Sequence, residues 1–260
     1  MKTLLSTIIV MCITAVINAQ NIDSQIFISA DSSSPAKEIA GEKVPWHLSD
    51  TAEGNGFSAV DNYVSGLKKK YKNIPELSKD ITRPFYTDGE KVRAIFIWMT
   101  QNIVYNEKEK NNPNSSIESG SSYSPAGKWA DVYFNYASKV LRSRMGICDG
   151  YSALFYELCN YSGIQCEIVK GLAVNDTDKI KKYKNKNKIP LNHAWNKVSI
   201  NGQWEYIDVT WASSGKYNGR RIEPKGYNPN YYLISENKLY ADHVINQKET
   251  KKRNEQIGEE

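Results

Sequence analysis

No Cys-x-x-Cys pair occurs in these 260 residues, no segment repeats, and no apolar run past the N-terminus has the length of a membrane span. The first absence argues against a zinc site, because short ligand pairs are the usual start of one. A site drawn from Cys148, His193 and Asp208 would have to form without such a pair. The second absence excludes a solenoid or propeller of stacked units. Charge of one sign is also scarce: the net value is +5, modest and spread along the chain. The one dense basic stretch, Lys179 to Lys188, carries six lysines among Asn and Tyr and reads as a solvated loop. No nucleic-acid motif accompanies it, and nothing in the motifs calls for a cofactor or a metal.

Cysteine is sparse, and its distribution is informative. Residues 1–19 have a short positive start at Lys2, a mostly apolar stretch from Leu4 to Val16, and Ala19 before a polar Gln20-Asn21. That is the pattern of a cleaved export signal, so the expected location is periplasmic or extracellular. Cys12 lies inside it, but Met11 is not the small residue that lipoprotein processing favours. Removal of the signal leaves Cys148, Cys159 and Cys166. An odd count in an exported chain leaves at least one thiol outside any internal disulfide. Cys159 and Cys166 read slightly better as buried small hydrophobes than as a bridge.

What is present is a substantial apolar and aromatic complement, 40% apolar residues with 17 Tyr and 6 Trp, enough for a real core. Residues 20–56 show no sustained period and read as an extended arm. Spacing from Phe57 to Ile74 predicts a helix ended by Pro75, with a connector from Glu76 to Pro84. A second helix is predicted from Asp88, as N-cap, through the stripe Val92, Ile95, Phe96 and Met99. Residues 106–128 read as a long surface loop, and Trp129 to Arg142 as a third helix. A fourth follows Cys148 and stops at Gly163. Cys166 to Val174 reads as a strand. Leu191 to Ile200 and Gln203 to Trp211 flank Asn201-Gly202, a strong hairpin signal. The charged residues 247–260 read as a frayed tail.

Three segments carry chemistry: Gly146-Ile-Cys-Asp-Gly-Tyr, Asn192-His-Ala-Trp-Asn and Tyr206-Ile-Asp-Val-Thr-Trp. A two-residue Asn201-Gly202 turn sets the register so that Trp195 faces Asp208 and His193 faces Thr210. His193 and Asp208 then share a face as diagonal neighbours, roughly 7 Å apart or less at Cβ. Cys148 falls at a helix start, where unpaired N–H groups and the dipole favour an anion, here the thiolate that attacks carbonyl carbon. Gly146 and Gly150 leave room there for a substrate backbone. Together these describe a nucleophile, its base and the orienter of that base. The Cys148 N–H would be one oxyanion donor, and Trp98, Tyr105 or Trp129 the second. Taken singly, each residue has an ordinary structural reading as a packed thiol, a strand histidine or a capping aspartate.

The same segments, with Glu90-Lys-Val-Arg-Ala-Ile-Phe-Ile-Trp-Met-Thr-Gln-Asn-Ile-Val-Tyr upstream, resemble the core of the transglutaminase-like superfamily over about Phe85 to Val244. The pattern is most similar to its bacterial, kyphoscoliosis-peptidase-like and cytokinesis-protein-like branch. The resemblance implies an α+β, papain-like core, with the nucleophile at the N-terminus of a helix packed on an antiparallel β-sheet. It also implies Cys148, His193 and Asp208 as a catalytic triad. His243 takes a position in the matched pattern and is read as structural. Animal transglutaminases have Gln-Cys-Trp where this chain has Ile147-Cys148-Asp149, and no acidic cluster answers to their calcium sites.

The expected division is therefore a signal at 1–19, an arm and helix at 20–84, a catalytic core at 85–246 and a disordered tail at 247–260. The expected activity is acyl transfer on a peptide or side-chain amide through a thioester, with hydrolysis favoured over crosslinking. The expected partner is a protein or peptide substrate, with no nucleic acid. The alternative is a non-catalytic peptide- or envelope-binding module that keeps the fold.

Overall fold

The computed structural model describes residues 56–111, 129–184, 186 and 188–258, together with two short strands nearer the N-terminus. The expected export signal and most of residues 106–128 lie outside the described residues. Strands β1 (Lys37–Ile39) and β2 (Glu42–Val44) form an antiparallel hairpin in a unit of their own. The described residues from Gly56 onward form one compact unit.

That unit is built around two buried helices. Helix α1 (Ser58–Gly66) and helix α2 (Ile74–Thr82) precede α3 (Asp88–Asn102). Pro75 does not end a helix; it sits in the first turn of α2, where its missing N–H costs nothing, and the Asn73 side chain accepts from the Glu76 N–H to cap it. The expected connector from Glu76 to Pro84 is therefore helical. Thr87 rather than Asp88 caps α3, through a reciprocal box with Glu90. α3 is buried on nearly every side, with Val92, Ala94, Ile95, Phe96, Ile97, Trp98 and Met99 all in the core. Its weak amphipathic signal follows from that position.

Strand β3 (Val104–Asn106), a short helix α4 (Glu107–Lys110), helix α5 (Trp129–Ser143) and strand β4 (Met145–Gly146) lead into α6 (Cys148–Tyr161). α6 ends as expected: Gly163 is left-handed at φ 73°, its N–H donates to the Asn160 carbonyl, and Ile164 N–H reaches back to Cys159. Strand β5 (Cys166–Ala173) follows, then α7 (Thr177–Lys184). α7 corrects the reading of the lysine run as loop, because Ile180 anchors one face while the lysines remain solvated.

The remaining elements are β6 (His193–Ile200), β7 (Gln203–Ile207), the single turn α8 (Val209–Ala212), β8 (Lys216–Tyr217), β9 (Arg221–Ile222), α9 (Glu236–Leu239), β10 (His243–Ile245) and α10 (Gln247–Gly258). The main sheet is antiparallel in the order β10-β5-β6-β7, and a small second sheet runs β4-β3-β8-β9. α6 packs on the main sheet through β6 and β5, so the fold is α+β with a helix laid on an antiparallel sheet. The Asn201-Gly202 turn forms with both residues at positive φ, and Ile200 pairs with Gln203 as the spacing predicts.

Two sheet edges are finished by segments that are not strands. β10 pairs with β5 only at residues 171–173. Further along β5 its outward backbone groups are met by α10: Thr250 Oγ1 accepts from Lys170 N–H at 3.0 Å, and the Asn254 side chain both accepts from Ile168 N–H and donates to its carbonyl at 2.9 Å. The tail expected to fray is thus a helix, held by these bonds and by burial of Ile257. At the opposite edge, Tyr206 exchanges two backbone bonds with Ile234. No helix among the described residues is long and apolar enough to cross a membrane.

Candidate functional site

The β6–β7 ladder stops at Asn196–Ile207, one residue short of the expected pairing of Trp195 with Asp208. Asp208 leaves the strand to cap α8, with Oδ1 accepting from the Trp211 N–H at 3.0 Å. Its own N–H donates to the Tyr231 carbonyl at 3.0 Å. That fixes the carboxylate so that Oδ2 lies 2.6 Å from His193 Nε2. The expected proximity of His193 and Asp208 is present, although a helical turn rather than a strand delivers it.

Cys148 is the first residue of α6 and half-buried. The N-cap residue Ile147 has no side-chain acceptor, so the first-turn N–H groups meet no side-chain cap. The Cys148 side chain acts electrostatically on the His193 ring. Because Nε2 is engaged by Asp208, Nδ1 is the ring atom left for the sulfur. Burial alone would lower the His193 pKa, but the Asp208 carboxylate and then Cys148 outweigh it and raise the value to about 10. Burial would raise Asp208, yet His193 and then His243 hold it well below the usual carboxylate range. Of the three residues singled out by their motifs, His193 and Asp208 are in direct contact, and Cys148 acts on the same imidazole.

The register of helix against sheet depends on residues that spacing alone does not single out. Asn196 on β6 donates to the Ser152 carbonyl of α6 at 3.1 Å, tying the strand that carries His193 to the helix that carries Cys148. Lys170 on β5 meets Asp149 at 2.6 Å, both side chains nearly excluded from water, beside the first turn of α6. A lysine inside an apolar strand was the available signal for that pair. The glycines act differently from expectation. A Cβ at Gly146 would come within 2.9 Å of the Val140 side chain, and one at Gly150 within 2.7 Å. They admit α5 against the start of α6 rather than making room for substrate.

His243, at the head of β10, is more than filler. Its Nε2 lies 3.1 Å from the same Asp208 Oδ2, and its Nδ1 bonds Asp242, which in turn accepts from the Tyr231 hydroxyl at 2.8 Å. Burial would lower its pKa, but Asp208 and Asp242 raise it. The Asp208 carboxylate is thus shared by two imidazoles. His193, Asp208 and His243 offer three donor atoms within 4.8 Å of one another, the one such grouping among the described residues that could hold a metal. Hydrogen bonds through the shared Oδ2 already account for the clustering.

Trp195 stacks on the His193 ring, with centroids 5.8 Å apart and planes inclined by 24°, and Trp211 lies 5.6 Å away on a tilt. Both shield the imidazole from water. The site opens to a groove of about 490 Å³ lined by Tyr105, Asn192, His193, Thr210, Trp211 and Tyr231, among others. Of the three upstream aromatics, Trp98 is buried beneath Arg144 and Tyr71, away from the groove. The Trp129 side chain lies outside the described residues. Tyr105 lines the groove, and its pKa is raised first by burial and then by Cys148.

The model of the transglutaminase-like superfamily core matches residues 75–209, just over half of the chain and all three site segments. The chain belongs to the transglutaminase-like superfamily. Among its relatives is human kyphoscoliosis peptidase, 30% identical over 159 residues, which make up 60% of this chain and 21% of that protein. Cytokinesis protein 3 of Schizosaccharomyces pombe is 21% identical over 207 residues, covering 78% of this chain and 21% of that protein. The chain therefore spans about a fifth of the length of these curated relatives. A crystal structure of a TGase superimposes with a TM-score of 0.34 at 16% identity, covering 78% of this chain and 40% of that one. The transglutaminase-like core in this chain corresponds to α2 through the start of α8, the segment that contains Cys148, His193 and Asp208.

Proposed function

We propose that this transglutaminase-like chain is an exported cysteine enzyme that cleaves peptide or side-chain amide bonds through a thioester. The observation that carries the reading is the hold of Asp208 on His193 Nε2, with Cys148 acting on the same ring. The Cys148 sulfur, its proton already held on the His193 ring, attacks the amide carbonyl carbon as the thiolate. The C–N bond then breaks, and the departing amine takes that proton. Water, deprotonated by His193, attacks the thioester, releasing a carboxylic acid and restoring the thiol. The N-terminal pattern of residues 1–19 supports export, and Asp149 after the nucleophile, in place of Trp, supports water over an amine as acceptor.

Alkylation tests this directly. Iodoacetamide near neutral pH should modify Cys148 ahead of Cys159 and Cys166, and His193→Ala should slow that reaction roughly 10²-fold. Equal rates in the two proteins, read by peptide mass spectrometry, would refute an activated nucleophile and leave the binding module. Mass analysis of a cleaved peptide against an amine adduct separates hydrolysis from crosslinking.

Tyr105 serves in this reading as the second oxyanion donor, beside the Cys148 N–H. Tyr105→Phe should lower kcat by roughly 10²-fold with little change in KM, because the bond is made to charge that develops only in the transition state. A change in KM alone would instead make Tyr105 a substrate-binding side chain.

A further inference from the structure

We propose that a second cavity, walled by the α1–α2 linker, the C-terminal ends of α3 and α5, and β9, binds a phosphate-bearing small molecule. It encloses about 800 Å³ and shares no lining residue with the groove at His193. Seven basic side chains line it against one acidic residue, Glu223. Two of the seven are offset: Lys69 pairs with Glu76 and Asp80 at 2.7 and 2.9 Å, and Arg221 Nε pairs with Glu223 at 2.6 Å. Lys70, Lys72 and Arg142 have no ion pair among the described residues.

Arg144 decides the chemistry. Its backbone is left-handed at φ 57°, a conformation that a side chain other than Asn or Gly adopts at a cost. It turns the guanidinium over the Trp98 indole, 4.6 Å from the ring. There Nη1 is buried without a hydrogen-bond partner, which native folds seldom leave so. Arg221 approaches from β9 and donates from Nη1 to the Arg144 carbonyl at 3.3 Å, bringing two guanidinium groups together. Burial and then the Arg221 charge lower the Arg144 pKa, as expected of a cation lacking its anion. Attraction to helix C-termini explains an arginine at the end of α5, but neither the lysine run on the facing linker nor the unused Nη1. A tetrahedral oxyanion suits the planar fork of a guanidinium, and the surrounding lysines supply point charge for a second anionic group.

The test is calorimetric titration of the full chain with inorganic pyrophosphate at about 0.15 M salt, where exposed charges are largely screened. Binding should be saturable. Arg144→Met, which keeps an apolar stem on Trp98, should weaken it at least about tenfold, as should Lys70→Ser with Lys72→Ser. The lysine pair is exposed, so it serves if Arg144→Met fails to fold. Citrate should bind more weakly, and Cys148 alkylation should be unchanged in all variants, which separates this site from the catalytic reading. Absence of binding, wild-type affinity in both variants, or equal affinity for citrate would overturn the assignment. So would binding to phosphatidylglycerol vesicles but not to pyrophosphate.

Discussion

Asp208→Asn should slow acylation of Cys148 by an activated ester roughly 10³–10⁴-fold while leaving the fold in place. Removing the orienting charge leaves His193 free to adopt the wrong tautomer, and an effect of that size is known for an equivalent change in serine enzymes. Asp208→Ala should do more. It strips a fully buried carboxylate from two buried imidazoles and removes the cap of α8, so unfolding free energy should also fall by about 3–5 kcal/mol. A rate within tenfold of wild type for Asp208→Asn, in single-turnover kinetics, would remove Asp208 from the mechanism.

The same carboxylate sets the pH behaviour. His193 is raised from an ordinary 6.5 to about 10, so its contribution to stability is complete below pH 6.5 and is lost as pH rises through 10. Asp208 is lowered from 3.8, so its contribution is present above pH 3.8 and lost as pH falls through its depressed value. The pair supports the fold across the neutral range. NMR of the His193 ring should place its titration near pH 10 in the wild type and far lower in Asp208→Asn.

Arg93→Ala should produce the second large loss, in stability rather than rate. Arg93 is buried in α3 and forms a two-point bridge to Asp61 of α1 at 2.7 and 2.6 Å, with a further bond to the Tyr227 hydroxyl. The rings of Tyr232 and Tyr227 lie 4.8 and 5.1 Å from its guanidinium. Removal leaves Asp61 without its partner and opens a void among four aromatic rings. Because Asp61 keeps some access to water, the expected cost is on the order of 3 kcal/mol, the lower end for a broken buried pair. Arg93→Lys should recover only part of it, lacking the planar fork. Urea unfolding followed by Trp fluorescence measures both, and a cost below about 0.5 kcal/mol for Arg93→Ala would show that α1 is held by apolar packing alone.

How much of this was legible in the chain depended on whether a signal was local. Asn201-Gly202 demands positive φ at two successive residues, so the turn and the start of its ladder could be read directly. Cys148, His193 and Asp208 followed from motifs on either side of that turn. The exit of Asp208 from β7 could not be read, because Val209-Thr-Trp has high strand propensity and only tertiary contact makes it a helical turn. Pro75 was misread because a proline that ends one helix and a proline that begins another look alike without the Asn73 cap in view. Gly146 and Gly150 needed Val140, which approaches from another helix. His243 stood 35 residues beyond the carboxylate it shares, with nothing in the intervening sequence to connect them. The α10 residues looked like a solvated tail because the face they bury is mostly polar, Thr250 and Arg253 with the single apolar Ile257, rather than a stripe of leucines.

That polar face has a consequence for how copies of this protein meet. A strand at the rim of a sheet is a template on which another extended chain can add, the step that begins domain exchange and fibril growth. Here the template is already read on both rims, by the amide of Asn254 and the hydroxyl of Thr250 at one and by the Ile234 backbone at the other. The main sheet therefore offers little purchase for polymerisation along those stretches.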